Sequence, residues 1–354
     1  MKKIHIILSL SLLAGVLASC STKVDLYADY KDIPIVYGLL DATQDTNFVK
    51  IVRAFSGSDE ASVDASQVAL IPDSNNYPGK LDARIYRYRK GYGNEYVLDD
   101  NNSAAPHDNG VIFLDTITIH DKEDGAFYSP NQKVYYATQG ILPNTNSKTY
   151  RYRLVVLKGN DTISSETGIV GGENFKISNS QISFVAEETD KTGKINFFPA
   201  DNASVYNMEI NFRYKETLQG VSTYKTLHYS FGMKNIQDLH EENGVYYIAY
   251  NQNLLFNMIR TAIAGNPYQT VYTYPKENSL TISLAAGGDE LYNYIQINQA
   301  AGGLSQTVPD YTNINGGYGV FSSRININKA VKLSSRTVAD LVSIGFNGVE
   351  PEDF

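Results

Sequence analysis

The chain has 354 residues, 30 Lys+Arg against 38 Asp+Glu, a formal charge of -8, 42% hydrophobic residues and 12% aromatics, with a mean hydropathy of -0.28. That is too apolar for a disordered chain and long enough for two domains, and the acidity leaves no basic footprint for nucleic acid. A single cysteine excludes an intrachain disulfide, a cysteine-built zinc site and an iron–sulfur cluster.

The chain opens Met1-Lys2-Lys3, continues with an apolar run over 4–17 and reaches Ala18-Ser19-Cys20. A basic start, a short apolar stretch and small residues before a cut are the features of a secretory signal. The run is shorter than the roughly 18 residues a bilayer span requires. Leu17-Ala18-Ser19-Cys20 resembles the bacterial lipobox, which implies cleavage after residue 19 and acylation of Cys20. The alternative is a plain signal peptide with an incidental cysteine, but the chain's only Cys sits at the required position. Several acyl chains anchor a protein stably, at about 0.8 kcal/mol per buried methylene. Loss of Lys2 and Lys3 takes the formal charge from -8 to -10, which suits solubility and argues against electrostatic binding to an anionic membrane. Ser21-Thr22-Lys23-Val24-Asp25 lacks the acidic cluster that marks many surface-exported lipoproteins, so either face of the outer membrane is open.

Residues 20–32 read as a lipidated tether. The segments 34–40 (PIVYGLL) and 48–55 read as strands joined by the turn residues 41–47 (DATQDTN), a hairpin. The stretch 56–80 is a long Ser/Asp/Asn-rich loop, with helical character around 61–68 as one reading. Over 81–89 the chain alternates: Leu81, Ala83, Ile85 and Arg87 share one face, and Asp82, Arg84, Tyr86 and Tyr88 the other. Strands are predicted at 96–98, 111–119, 133–137, 149–157 and 162–168. Short strands at this spacing predict an immunoglobulin-like β-sandwich over 33–172. The Tyr/Arg theme of 84–89 recurs at Tyr150-Arg151-Tyr152-Arg153.

Near Gly171-Gly172-Glu173-Asn174 the pattern pauses, and a second β-rich domain is predicted over 173–354. Its strands fall at 181–186, 195–198, 205–214, 223–232, 271–274, 279–284 and 292–298. The clearest alternation puts Tyr206, Met208, Ile210, Phe212 and Tyr214 on one face. Two helices are predicted, at 251–264 with a Gly265-Asn266-Pro267 stop, and at 334–342 with a serine cap. The fold class is thus mainly β, a sandwich followed by a β-rich domain with two helices.

Chemistry-bearing patterns are sparse. His107, His120, His228 and His240 stand in no metal-ligand spacing, and His240-Glu241-Glu242 reads as a solvated face. The acidic turn around 120–125 lacks the spacing of a calcium loop. No GxSxG elbow anchors a catalytic triad, and carboxylate pairs such as Glu187 with Asp190 are expected by chance in an acidic chain. The glycines at 287–288, 302–303 and 316–319 match no phosphate-binding form and read as turns, the last leading into a core strand at Val320-Phe321. No catalytic residue, metal or cofactor is therefore expected. The 27 tyrosines serve either half-buried sheet surfaces or an interaction face, and the absence of Trp weakens a glycan platform.

The segment 310–323, with Asn313-Ile314-Asn315-Gly316-Gly317-Tyr318-Gly319-Val320-Phe321-Ser322-Ser323, resembles a C-terminal signature of uncharacterised Bacteroidota outer-membrane lipoproteins. The runs 34–41 and 48–51 look like the opening strands of the same group. The resemblance implies an envelope-anchored β-protein and no defined activity. The functional expectation is a non-enzymatic binding or scaffold subunit of an outer-membrane protein complex, held by Cys20, with Tyr/Arg strands offering the contact face. The alternatives are a surface glycan-binding lipoprotein for nutrient uptake, or a hydrolase.

Overall fold

The computed structural model describes residues 33–54, 71, 74–102, 104–105, 108–120, 130–142, 150–187, 191–301 and 311–349. The signal segment, Cys20, the tether and most of the 56–80 loop lie outside the described residues. The fold is mainly β, as the periodicity predicts.

β1 (Ile33–Leu40) and β2 (Asn47–Ala54) form the expected hairpin. Its turn is closed by side chains. Asp41 Oδ1 accepts from the Thr43 N–H and hydroxyl at 2.9 and 2.6 Å. The Asn47 amide accepts from the Asp41 N–H at 2.6 Å and donates to the Asp41 carbonyl at 3.1 Å. These bonds satisfy backbone groups that the ladder leaves unpaired.

β2 pairs with β7 (Gln132–Ala137), and β7 with β6 (Asp115–Ile119). Opposite this sheet, β3 (Asp82–Lys90) pairs with β8 (Tyr150–Lys158), and β8 with β9 (Asp161–Gly168). β4 (Tyr96–Leu98) and β5 (Val111–Phe113) share the outer edge of β3. First, second and two return strands in one sheet, with the third strand and the last two in the other, is the immunoglobulin-type order. Val36, Val49 and Tyr135 from one sheet meet Ile85, Leu154 and Val156 from the other in a shared core. The single strand expected at 111–119 is two strands. The chain leaves one sheet at Phe113 and joins the other at Asp115, with Leu114 buried between them.

Beyond this sandwich, β13 (Val205–Leu218) and β14 (Val221–Asn235) make a long hairpin. β18 (Leu280–Gly287) pairs with β13, and β19 (Tyr318–Ala330) with β18. β17 (Val271–Tyr274) lies on the far end of β13 and carries β21 (Phe346–Val349). A smaller sheet runs β10 (Lys176–Ile177), β12 (Thr192–Phe198), β16 (Val245–Asn251), β15 (His240–Glu242). The predicted face Tyr206, Met208, Ile210, Phe212 and Tyr214 is fully buried in the second core, with Phe197, Phe256, Ile282 and Leu284.

One strand joins the two cores. The first half of β19 pairs in parallel with β1, from Tyr318 opposite Ile35 to Ser323 opposite Leu40. Its second half pairs with β18 from Arg324 onward. Phe321 therefore packs in the sandwich core and Ile325 in the second core. Along the chain the cores change over between Ile169 and Val170, and Ile314 and Phe321 return to the first core from within the segment read as the second domain.

α1 (Gln252–Ile263) and α3 (Ser335–Ser343) stand where helical spacing places them. The Asn251 side chain caps α1 by accepting from the Asn253 and Leu254 N–H groups, and Ser334 caps α3 at Thr337. The strand expected at 292–298 is instead part of a third helix, α2 (Asp289–Ala301). Tyr and Ile favour strands, but Leu291, Tyr294 and Ile295 recur at helical spacing and α2 packs on β19. Asp289 and Glu290 also suit the positive end of a helix. The strand expected at 181–186 shrinks to β11 (Gln181–Ile182), paired with β20 (Lys332–Leu333). The α3 side chains Thr337 and Asp340 take the Phe184 and Ala186 N–H groups at 2.8 and 2.9 Å, replacing a ladder partner.

Candidate interaction face

Strand alternation decides which side of the β3–β8 pair meets solvent. Outward lie Arg84, Tyr86 and Tyr88 from β3, opposite Val155, Arg153 and Arg151 of β8. Glu166 of β9 stands opposite Arg153. Phe113, 66% exposed, and Tyr96 join from β5 and β4, strands without a Tyr/Arg pattern to announce them. The result is an open aromatic and guanidinium surface on a rigid sheet.

Neighbouring groups hold most of these cations. Arg84 lies over the Phe113 ring at 4.9 Å and bonds Asp82 from Nε at 2.8 Å. That bond holds the Asp82 carboxyl below its usual range. Arg151 lies over Tyr96 at 4.8 Å and reaches Glu166 at 3.2 Å. Both cation–π pairs hold the guanidinium heads within reach of the ring faces. Arg153, exposed between Tyr86 and Glu166, makes no hydrogen bond, ion pair or ring contact among the described residues.

The Tyr150–Arg153 stretch corrects the expectation of a wholly Tyr/Arg surface. Arg151 and Arg153 face out, but Tyr150 and Tyr152 are buried at 4% and 0% exposure. The Tyr152 hydroxyl accepts from the Leu142 N–H at 2.7 Å, and burial raises its pKa. Each tyrosine there fills the core with its ring and satisfies its tip inside.

Beneath the face, Arg87 shares the side of Leu81, Ala83 and Ile85 and is fully buried, but it is not apolar filler. Its Nε donates to Asp99 at 2.8 Å, its two terminal nitrogens to Asp108 at 2.6 and 2.9 Å, and Nη1 to the Gly140 carbonyl at 3.0 Å. Burial works against the charge and the two carboxylates outweigh it, so the guanidinium pKa is raised. Asp99 also accepts from Asn102, which reaches the Tyr150 hydroxyl. The network ties the segment between β4 and β5 to the sheet and so fixes the outer edge of the face.

The remaining candidates do not converge. His120 bonds Asn131 at 2.7 Å, His228 bonds Asn211 at 2.6 Å, and His240 stacks on Tyr247. Glu187 pairs with Arg336, while Asp190, His107, residues 121–125 and Cys20 lie outside the described residues. No group of three His, Cys, Asp or Glu side chains suited to a metal occurs among the described residues, and no described helix is long and apolar enough to cross a membrane. A small cleft of about 170 Å³ carries Asp289 and Glu290 beside Arg151. Both carboxylates are committed, Asp289 to the Ser204 hydroxyl and Glu290 to those of Ser322 and Thr167. Gly316 and Gly319 have φ of +79° and +110° and lead into the buried pair Val320-Phe321, a turn into a core strand.

No family model and no curated protein matches the chain. Among solved structures, a chimeric titin Z1Z2 functionalized with a KLER exogenous peptide from decorin matches at 9% identity over 86% of this chain and 96% of that chain, with a TM-score of 0.16. A score that low carries no argument, and the immunoglobulin-type order rests on the strand pairing alone.

Proposed function

We propose that the chain is a non-enzymatic binding or scaffold subunit of an outer-membrane protein complex, anchored through Cys20, with the outer face of β3, β8 and β9 as its contact surface. The observation that carries this reading is Arg153: an exposed guanidinium, unpaired among the described residues, set among Tyr86, Arg151 and Glu166 on the β3–β8–β9 sheet. Tyr and Arg are the residue types that dominate binding energy at protein interfaces. Prearranged side chains also lose little entropy on docking. The lipobox supplies the membrane attachment in this reading.

A photocrosslinking residue placed at Arg153 in the native membrane tests it. A discrete protein adduct is expected there and not from the same probe at Tyr268, which is fully exposed outside this face. No adduct at Arg153, together with tight binding of a polysaccharide or turnover of one, would favour the glycan-binding or hydrolase alternative instead.

A further inference from the structure

On the outer face of β1, away from the side that packs in the sandwich core, α2 lies over β19 and leaves a groove of about 580 Å³ beside β1 and the β1–β2 turn. That volume is within the range of small-ligand sites. Its walls are mostly apolar. Tyr37 and Phe48 come from the hairpin, Leu291, Tyr294 and Ile295 from α2, and Val320 from β19 in register with Tyr37. Tyr37 and Tyr294 meet edge to face, ring centroids 6.1 Å apart at 74°. Phe48 remains half exposed, a large apolar ring left facing the opening.

The polar groups of the groove are nearly all spoken for. The Asp41 carboxylate accepts from Thr43, the Asn47 amide is spent on the Asp41 backbone, and the Gln44 amide donates to the Thr43 hydroxyl at 3.3 Å. Apart from the Thr46 hydroxyl, the exception is Arg324. It stands on β19 opposite Gly287, is exposed, and has no hydrogen bond, ion pair or ring contact among the described residues.

An apolar, aromatic wall with one uncommitted guanidinium defines its ligand by exclusion. A neutral sugar needs several free donors and acceptors, which the turn has already used. A cationic ligand is repelled by Arg324. A dianionic phosphate calls for more than one positive group or a nest of free backbone N–H groups, and the groove lining supplies one cation. An apolar body ending in a single carboxylate matches both halves, because a guanidinium meets a carboxylate as a planar fork.

We propose that this groove binds a small amphipathic monocarboxylate, its apolar body against Phe48, Leu291 and Ile295 and its carboxylate on Arg324. The site is separate from the Tyr/Arg face and does not depend on it.

Calorimetric titration of octanoate and of octanol into the full-length chain carrying Cys20→Ser, which keeps every described residue, tests the assignment. Octanoate is expected to bind and octanol to bind more weakly. Arg324→Gln is expected to weaken octanoate about ten- to a hundredfold, the loss of one charge-assisted pair, with octanol unchanged. Arg324→Lys is expected to restore part of the loss. Because Arg324 is exposed and unpaired among the described residues, the thermal midpoint of both variants should equal that of the parent chain, which separates a lost ligand contact from a lost fold. Failure of octanoate to bind the folded parent chain overturns the proposal. So does an affinity for octanoate that Arg324→Gln leaves unchanged, or equal affinity for octanol. Tighter binding of a hydrophobic peptide with a free C-terminal carboxylate than of octanoate would also overturn it, identifying the occupant as a protein terminus.

Discussion

Arg87 and Asp108 form a two-point ion pair under the Tyr/Arg face, with Nη1 2.6 Å from Oδ2 and Nη2 2.9 Å from Oδ1. Asp99, only 1% exposed, completes the neutralisation from the other side. A buried pair of this kind is weak evidence of net stability, because desolvation offsets the attraction, but removing one partner leaves a stranded charge.

Arg87→Ala should therefore destabilise the chain by about 3–5 kcal/mol. Asp108→Asn, which keeps part of the bonding at a partly exposed position, should cost about 1–2 kcal/mol. Urea unfolding followed by tyrosine fluorescence measures both, since the chain has no Trp to mask the signal. Equal losses for the two variants would show that Asp99 does not share the charge.

A side chain at Gly319 cannot be accommodated next to β1. A Cβ there would overlap the Val36 carbonyl oxygen, and φ is already +110°. Gly319→Ala should break the β1–β19 pairing and cost at least about 2 kcal/mol. Gly159→Ala also has positive φ, but its Cβ would meet nothing within 4 Å, so its cost should stay near 1 kcal/mol. Comparing the two by chemical denaturation isolates the contact from the backbone strain. Similar losses would refute the steric account.

Burial raises the Tyr206 phenol from 10.0 to about 12. The folded chain then keeps a proton that the unfolded chain loses, so this stabilisation is complete below pH 10 and disappears as pH rises toward 12. At about 1.4 kcal/mol per unit, Tyr206 accounts for about 2–3 kcal/mol of alkaline destabilisation. The thermal midpoint of the parent chain should fall across that window. Tyr206→Phe should start lower, because it loses the bond from the Ala200 N–H at 3.0 Å, and should fall less steeply. An unchanged slope would place the alkaline sensitivity elsewhere, with Tyr214 the next group to test, since burial raises it to about 12 as well.

Acylation at Cys20 is expected from Leu17-Ala18-Ser19-Cys20. A palmitate analogue fed to expressing cells should label the parent protein and leave Cys20→Ala unlabelled. Label retained by the variant would refute the lipobox reading.

Local periodicity determined much of this protein. Alternation over 81–89 and 206–214 sorted side chains onto two faces, the turn residues 41–47 marked the hairpin, and helical spacing marked α1 and α3. These features depend on neighbours two to four positions away, which a single sequence displays.

Other features depend on partners that no local pattern names. Tyr150 and Arg151 alternate whichever side is inside, and only the packing of the opposite sheet sends the tyrosines in and the arginines out. The 292–298 run has strand-forming residues, and the outer face of β19 makes it a helix. Arg87 sits in an apolar row by its spacing, and its charge is tolerable because Asp99 and Asp108 arrive from a loop. The groove around Arg324 likewise exists because β19 pairs with β1, bringing residues 318–323 beside residues 35–40. Such pairings are set by burial and hydrogen-bond satisfaction across the whole fold, so the tertiary structure alone decided them.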